Sequence, residues 1–196
     1  NLDIPLIHFS TDYVFDGNKI GKYNERDNPN PIGIYGKSKF DGENAVKEVD
    51  GQFYIFRVSW VYSKIRNNFY LTLKKLINER KEVKIVSDQF GVPTSNLFIA
   101  DQIIKILPKL NKKNKGFYHL VPDNYSSWYQ FAKKIIIINN SNFNLKNLIP
   151  IKSSEYLTKA KRPKNSILNN QKVKKAFNLS FISWEKELNR LVQKVK

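Results

Sequence analysis

The sequence predicts an α/β fold in which parallel strands alternate with helices. Two apolar runs of strand type, residues 4–9 and 53–58, flank residues 35–49, whose residue pattern repeats at helical spacing. A strand, a crossover helix and a second strand imply two parallel strands with a right-handed connection. Such units carry their working residues at the carboxyl ends of the strands, which here are Ser10-Thr11-Asp12 and Ser59-Trp60.

The other elements follow from periodicity and capping residues. Residues 10–33 are polar and contain Asp16-Gly17 and two Asn-Pro pairs, which predicts a long loop. Gly51 is the expected stop of the first helix. Beyond it we expect a helix at residues 69–77, a strand at 83–86, a helix capped by Ser95 and ended by Pro108, a strand at 116–121, a helix capped by Ser126-Ser127 and a last helix capped by Ser183.

Charge is the most unusual property of the composition. The 196 residues include 34 Lys and Arg against 17 Asp and Glu, a formal net charge of +17, which is typical of proteins that bind nucleic acids. However, Lys outnumbers Arg 28 to 6, whereas phosphate and base-edge recognition favours Arg. With 23 Asn and 21 Ile as well, the bias is that of A/T-rich codons. We expect no nucleic-acid partner.

Missing residue types exclude further classes of chemistry. Cys is absent, which excludes disulfides, thiolate nucleophiles and Cys-containing metal sites. His8 and His119 lie in apolar runs and are interpreted as core residues, so no metal is expected. Because no apolar run reaches the roughly 18 residues of a membrane span, we expect a cytoplasmic protein with no membrane partner. The chain lacks Met and opens on an apolar strand, so we interpret it as a piece of a longer protein.

Tyr35 and Lys39 are the strongest candidates for chemistry. They lie one helical turn apart, so their side chains share one face of the first helix. A free phenol has a pKa of about 10, and an adjacent ammonium or a helix amino end stabilises the phenolate and lowers that pKa. Thr11, at the strand end, can add a hydrogen bond to a substrate oxygen that is gaining charge. The three residues predict a proton-transfer site for a carbonyl or an alcohol.

The Tyr-x-x-x-Lys spacing alone is a weak signal. Tyr70-Lys74 and Tyr129-Lys133 match it equally well, but each lies in an ordinary amphipathic helix with no polar strand end before it. Only Tyr35-Lys39 is preceded in the sequence by a predicted strand, a hydroxyl residue at its end and a loop.

These residues belong to longer strings: Ser10 to Gly17, Tyr35 to Lys39 followed by Gly42-Glu43, and Arg57 to Tyr62. The strings resemble the extended short-chain dehydrogenase/reductase superfamily and, within it, are most similar to the dTDP-4-dehydrorhamnose reductase family. The similarity continues through Asn68-Phe69, Asp88 to Thr94, Ala100-Asp101, Gly116 to Leu120 and Arg162 to Leu168. It therefore spans nearly the whole chain.

The resemblance implies a reductase. Tyr35 would protonate the 4-keto oxygen of dTDP-4-dehydro-6-deoxy-L-mannose while NADPH or NADH delivers a hydride, giving dTDP-L-rhamnose. Lys39 would assist Tyr35 and hold the nicotinamide ribose, and Thr11 would complete the catalytic triad. The expected cofactor-binding residues are Phe9, Tyr35 and Lys39.

The same resemblance implies contacts with the sugar nucleotide. Thr11 and Asp12 would touch the sugar, and Trp60 would pack against the deoxyhexose. The alternatives are that Thr11 is a turn residue, that Asp12 caps the following loop and that Trp60 belongs to the core. Arg162 is a candidate for the diphosphate because a guanidinium binds phosphate bidentately, although it could equally anchor a turn at Pro163.

One expected part of the fold has no counterpart in the sequence. The chain has eight glycines, and none of them has the Gly-x-Gly-x-x-Gly spacing of a cofactor-pyrophosphate turn. We therefore expect residues 1–62 to be the catalytic part of a truncated Rossmann-like NAD(P)-binding domain. Residues 63–196 would be mainly a smaller α/β substrate-binding region, with some segments returning to the sheet. This stretch alone is expected to show no reductase activity.

Other functions stay open at this point. A nucleotide-sugar epimerase or dehydratase would need more acid or base groups than Asp12 and Glu25 provide. A non-catalytic regulatory subunit, as in the beta subunit of methionine adenosyltransferase, would resemble the same family. The choice between NADPH and NADH and the oligomeric state are also open, a homodimer being one alternative.

Overall fold

The computed structural model describes residues 4–48, 51–156, 158 and 160–193. Its strands are β1 (Leu6–Thr11), β2 (Phe53–Val58), β3 (Val61–Tyr62), β4 (Val83–Val86), β5 (Phe90–Gly91), β6 (Thr94–Ser95), β7 (Gly116–His119), β8 (Ser126–Ser127) and β9 (Leu148–Ile151). Its helices are α1 (Ile34–Glu48), α2 (Phe69–Glu79), α3 (Asn96–Ile106), α4 (Trp128–Ile138), α5 (Gln171–Phe177) and α6 (Trp184–Gln193). Within these residues, no helix is long and apolar enough to cross a membrane.

A parallel sheet in the order β1, β2, β7 is the framework for the site. Thr11 pairs with Val58 at the end of β1, and Arg57 pairs with His119 at the end of β7. Parallel pairing places the three carboxyl ends at one edge of the sheet. The predicted α/β class and the βαβ unit formed by β1, α1 and β2 are confirmed.

Apolar packing covers one side of the sheet with α3 and α5. Tyr54 and Phe56 of β2 are fully buried there and pack with Tyr118 of β7. A second cluster lies among α2, α4 and α6 and includes the parallel pair β4 and β9. Since β7 joins the sheet of β1 and β2, later parts of the chain contribute to the first region. The division at residue 62 stays a prediction.

The contact of α1 with β2 is polar instead. Glu43 of α1 is fully buried, and Arg57 of β2 is 3% exposed. The guanidinium donates from Nε to Oε1 at 2.8 Å and from Nη2 to Oε2 at 2.6 Å. Its carbon lies 5.1 and 5.2 Å from the ring centroids of Phe15 and Phe117. Removing one partner of such a pair leaves a buried charge, which typically costs about 3 to 5 kcal/mol.

Most element boundaries agree with the sequence predictions. The second strand and the strand at 83–86 match their predicted limits, and Ser95 and Ser127 cap α3 and α4 as expected. The first strand begins at Leu6 instead of residue 4, because Ile4 is 67% exposed and has no partner strand to pair with in the described residues. Val49, the predicted end of the first helix, lies outside the described residues.

One predicted strand ends earlier than expected, and several short elements, including the two-residue strands β3, β5, β6 and β8, were not predicted. The strand predicted at 116–121 ends at His119, and Val121 packs instead with Phe15 and Tyr23 in a separate apolar cluster. Neither β9 nor α5 was predicted. Both are short, at four and seven residues, and their periodicity is therefore too brief to identify either of them.

Asn68 is a strong cap of α2, and its loss should weaken the fold. Its Oδ1 accepts from the amides of Tyr70 and Leu71, and its Nδ2 donates to the carbonyls of Ser63 and Arg66. We expect Asn68→Ala to lower the free energy of unfolding by about 1 to 2 kcal/mol, measured by urea denaturation.

Asn78→Ala is the matched control, since Asn78 is exposed in the last turn of the same helix. Alanine favours helix there, so stability should stay within about 0.5 kcal/mol of the parent. Equal losses in both variants would contradict the capping role.

Candidate active site

The turn after β1 places Thr11 and Tyr13 next to each other. β1 ends at Thr11, and a single 3₁₀ turn, Asp12–Val14, follows. The Tyr13 amide donates to Thr11 Oγ1 at 3.2 Å, which caps this turn. Thr11 is 6% exposed, so its hydroxyl is held by the turn at the carboxyl edge of the sheet.

Helix α1 brings Tyr35 against the same turn. A Cβ on Gly36 would overlap the Tyr13 carbonyl oxygen and come within 3.0 Å of Pro31 Cβ. Only glycine allows the first turn of α1 this close to the backbone of Tyr13. The rings of Tyr13 and Tyr35 then meet edge to face, with centroids 5.8 Å apart and planes at 83°. Tyr13 thus contacts both Thr11 and Tyr35.

Lys39 points toward the end of β1. Its Nζ donates to the Phe9 carbonyl oxygen at 2.6 Å, so the ammonium lies against β1. On α1, Lys39 is one helical turn beyond Tyr35. Tyr35 is 57% exposed and Phe9 is 39% exposed. The phenol, the ammonium and an apolar ring therefore line one accessible surface at the start of α1.

Asp12 is held by hydroxyl groups inside the protein. It is 2% exposed; Thr11 Oγ1 donates to its Oδ1 at 3.1 Å, and Ser59 Oγ donates to its Oδ2 at 2.9 Å. Burial raises the pKa of Asp12 to about 6, although hydrogen bonds from Ser166, Ser59 and Thr11 oppose that rise. A direct contact between this carboxylate and a sugar would require the bonds to Thr11 or Ser59 to break.

A large groove opens beside this turn. Its volume is about 1280 Å³, and its wall includes Tyr13, Phe69 and Trp128. The charged residues on the wall are mostly cations: Lys84, Lys152, Lys161, Arg162 and Lys164, against Asp16 and Asp88. A groove with this excess of positive charge favours an elongated anionic ligand.

Trp60 is covered by protein on one face. Its ring stacks on Trp128 with centroids 3.6 Å apart and planes 7° apart, and a Cβ on Gly91 would overlap its indole. Its backbone has a φ of 44°, a left-handed conformation that bulky residues rarely adopt. Trp128 and Phe69, which the sequence analysis assigned to the helices alone, form the aromatic wall of the groove. A sugar contact by Trp60 stays a prediction.

Of the two histidines predicted to be core residues, His119 is buried and His8 is only half-buried, at the side of β1 that faces α1. His119 is fully buried, and burial together with the charge of Arg57 lowers its pKa to about 3. Burial, followed by the charge of Lys39, also lowers the pKa of His8. Glu25, the other acid considered for chemistry, accepts from the His119 amide at 3.0 Å. Among the described residues, no group of three or more His, Asp or Glu could hold a metal ion.

The residues at the start of α1 fit part of a nicotinamide cofactor. Lys39 offers an ammonium for ribose hydroxyls, and Phe9 and Tyr35 offer exposed rings next to it. The glycines of the sequence do not form the complete Gly-x-Gly-x-x-Gly pattern of a pyrophosphate-binding turn. The described residues therefore fit the nicotinamide end of a dinucleotide and not its pyrophosphate.

Of the predicted site residues, Thr11, Tyr35, Lys39 and Phe9 meet around the end of β1. Arg162 lines the groove together with Tyr13. The sequence analysis missed Tyr13, Gly36 and Trp128 as site residues. The signal for Gly36 was a glycine in the first turn of a helix, where a close backbone contact is its usual reason.

Comparison with known proteins identifies relatives along the whole chain. The family model described as RmlD substrate binding domain matches residues 1–196. A dTDP-4-dehydrorhamnose reductase of Burkholderia thailandensis is 37% identical over 190 residues, covering 91% of this chain and 64% of that protein. The crystal structure of dTDP-4-dehydrorhamnose reductase from Bacillus anthracis in complex with NADP has a TM-score of 0.89 and 38% identity, covering 97% of this chain and 66% of that one.

The chain spans slightly less than two thirds of the length of these relatives. A more distant neighbour, the UDP-glucuronic acid 4-epimerase of Bacillus cereus, has a TM-score of 0.76 at 20% identity. That similarity shows a shared fold alone.

The close approach at Gly36 should be intolerant of a methyl group. Gly36→Ala forces α1 away from the Tyr13 carbonyl, and we expect a loss of about 1 to 3 kcal/mol in the free energy of unfolding. Gly42→Ala, on the same helix, would meet only the His8 ring at 3.7 and 3.9 Å. Because alanine favours helix, Gly42→Ala should raise stability by up to about 1 kcal/mol. Urea denaturation of both variants tests this, and an equal loss in both would contradict it.

The raised pKa of Asp12 predicts a pH dependence of stability. The folded state holds the Asp12 proton more tightly than the unfolded state, so stability falls as pH rises from about 4 to about 6. Asp12→Asn removes this effect. The stability of Asp12→Asn relative to the parent should therefore increase by about 2 to 3 kcal/mol between pH 4 and pH 7.

Asp16→Asn is the control of opposite sign. The pKa of Asp16 is lowered by its hydrogen bond from the Asn18 backbone, so Asp16 stabilises the fold above the ordinary carboxyl range. The stability of Asp16→Asn relative to the parent should decrease as pH rises to about 4 and stay nearly constant above it. Denaturation series at several pH values measure both trends, and parallel trends would refute the assignment.

Proposed function

The chain belongs to the RmlD substrate binding domain family, and from that premise we propose that it forms the catalytic and sugar-binding part of a dTDP-4-dehydrorhamnose reductase. The reaction would reduce the 4-keto group of dTDP-4-dehydro-6-deoxy-L-mannose to give dTDP-L-rhamnose. The observation that carries the proposal is that Tyr35 and Thr11 both contact Tyr13, which lines a cationic groove.

Tyr35 is the proton donor in this proposal. Its phenol is exposed at the amino end of α1, and its ring is oriented by the edge-to-face contact with Tyr13. A keto oxygen that gains charge during reduction takes the phenolic proton and becomes the hydroxyl of the product. The phenolate that remains lies at the amino end of α1, and Lys39 is one helical turn further along the same helix.

Thr11 and Asp12 act as one unit. The Thr11 hydroxyl donates to Asp12 and accepts from the Tyr13 amide, so its orientation is set on both sides. Because the bond to Asp12 uses its one proton, Thr11 does not donate to the keto oxygen as the sequence predicts, but its remaining lone pair can accept from a sugar hydroxyl. We expect Asp12 to orient Thr11 instead of contacting the sugar, because both of its oxygens already accept hydrogen bonds from protein hydroxyls.

NADPH or NADH, when bound, supplies the hydride. Lys39 would hold its ribose, and the exposed ring of Phe9 would pack near its nicotinamide end. The relative from Bacillus anthracis was solved in complex with NADP, which favours NADPH here.

The groove suits the nucleotide part of the substrate. Arg162 and its lysine neighbours face an anionic diphosphate, and the aromatic wall of Trp128 and Phe69 offers stacking surfaces for flat or apolar groups. The positive charge of the groove also attracts the substrate from a distance.

A non-catalytic subunit of the same fold is the second candidate. The accessibility of Tyr35 and the direction of Lys39 support the enzyme. An epimerase or dehydratase would need a further acid or base facing the sugar. Asp12 is engaged with Thr11 and Ser59, and Glu25 with the His119 amide.

The proposal predicts the loss of activity in Tyr35→Phe. In the protein expressed from the complete open reading frame that encodes this chain, we expect NADPH oxidation that depends on the 4-keto sugar nucleotide. Removing the phenolic proton should lower kcat by about 100-fold or more, with KM for the sugar nucleotide little changed.

Tyr129→Phe is the matched control. Tyr129 also stands four residues before a lysine, but on α4, away from the end of β1, so kcat should stay at the parent value. If the parent protein binds the sugar nucleotide without oxidising NADPH, the regulatory alternative replaces the reductase.

A further inference from the structure

Three side chains of α1 share the face that meets the sheet. Tyr35, Lys39 and Glu43 follow one another at intervals of four residues, so each lies one turn beyond the last. Opposite charges at this spacing attract each other on a helix. A pair between Lys39 and Glu43 would therefore be the ordinary local arrangement.

In the structure, Lys39 and Glu43 each bond to a residue of the sheet instead of to each other. Lys39 Nζ donates to the Phe9 carbonyl at 2.6 Å, while both carboxylate oxygens of Glu43 accept from Arg57 at 2.8 and 2.6 Å. Arg57 belongs to β2 and is not a neighbour of Glu43 in sequence. A tertiary contact thus takes the place of the local pair.

Arg57 has three advantages over Lys39 as the partner of Glu43. Its planar fork matches both carboxylate oxygens at once, which a lysine ammonium does not. Its carbon lies 5.1 Å from the Phe15 ring centroid and 5.2 Å from that of Phe117, which favours a cation. Both members of the pair are almost completely buried, so water competes little for their hydrogen bonds.

We propose that Arg57 is a positioning residue for the reduction: by holding both oxygens of Glu43, it keeps the Lys39 ammonium available to the Phe9 carbonyl, to Tyr35 and to the cofactor ribose. This inference rests on the proposed function. It assigns to Arg57 a role that acts through Lys39, at a site that Arg57 itself does not line.

The consequence appears when the guanidinium is removed. A buried carboxylate without a partner is strongly unfavourable, so Glu43 would recruit the nearest mobile cation. On its own helix Lys39 and Lys47 both lie one turn from Glu43; Lys47 is exposed, whereas Lys39 already bonds to the sheet, so Lys39 is the expected partner. The other titratable groups near Lys39 and Glu43 are His8 of β1, which responds to both, and, around Arg57, Glu25, His119 and Lys172.

Two variants break the same ion pair with opposite consequences for Lys39. Arg57→Met leaves a carboxylate that can capture Lys39, whereas Glu43→Gln leaves an amide that can still accept one bond from Arg57. In the complete protein, corrected for the folded fraction, we expect Arg57→Met to lower kcat about tenfold or more. The pH at which kcat declines should also differ between Arg57→Met and the parent. Glu43→Gln should keep kcat within about threefold of the parent.

The double variant Arg57→Met/Glu43→Gln separates charge capture from lost packing. It lacks the guanidinium and the carboxylate, so we expect it to recover most of the kcat lost in Arg57→Met. Similar losses in both single variants, or no recovery in the double variant, would overturn the proposal and leave a purely structural ion pair. If Arg57→Met does not fold, Arg57→Lys replaces it, with a smaller loss of kcat expected because one ammonium holds a single oxygen well.

A readout independent of activity is the position of Lys39 in crystal structures of the variants. We expect Lys39 Nζ to bond to Glu43 in Arg57→Met and to stay on the Phe9 carbonyl in Glu43→Gln. Lys39 on the Phe9 carbonyl in both variants would overturn the proposal. An inactive parent protein would instead overturn the proposed function, and the position of Lys39 would still decide this inference.

Discussion

The buried pair of Arg57 and Glu43 is the interaction on which the site depends. Helix α1 has little apolar surface, and its buried residues are Gly36 and Glu43. Its attachment to β2 therefore comes from two charge-assisted hydrogen bonds in place of interlocking aliphatic side chains. The pair also leaves the Lys39 ammonium free of Glu43, so that it bonds to the Phe9 carbonyl at the end of β1.

The second constraint is the close contact of α1 with the turn after β1. Glycine at position 36 lets the helix approach the Tyr13 carbonyl, and the Tyr13 amide in turn donates to the Thr11 hydroxyl, which caps the turn. One residue, Tyr13, thereby relates the strand-end hydroxyl to the phenol. Both constraints act on the same helix, the ion pair at its third turn and the glycine at its first, so together they define its position.

The groove lies between the helical apolar cluster and the turn after β1. Phe69 and Trp128 belong to the helical cluster of α2, α4 and α6, yet they also face the ligand space. Tyr13 and Arg162 approach the same space from the sheet side. A substrate with an anionic middle and a sugar at one end can thus contact both regions. The excess of lysines on the groove wall gives part of the net positive charge a role in attraction, whatever codon bias produced the rest.

The sequence by itself determined the α/β class, the βαβ unit and the caps Ser95 and Ser127, and it predicts Thr11, Tyr35 and Lys39 as site residues. These depend on local spacing, on capping chemistry and on strings that resemble a known family. Only the tertiary structure decided that Asp12 faces Ser59 and Thr11, that Trp60 stacks on Trp128, and that Glu43 bonds to Arg57 instead of to Lys39. Each of these is a choice among partners that the sequence leaves equally available. Residues far apart in the chain settle such choices, because burial makes the partner with the better geometry win.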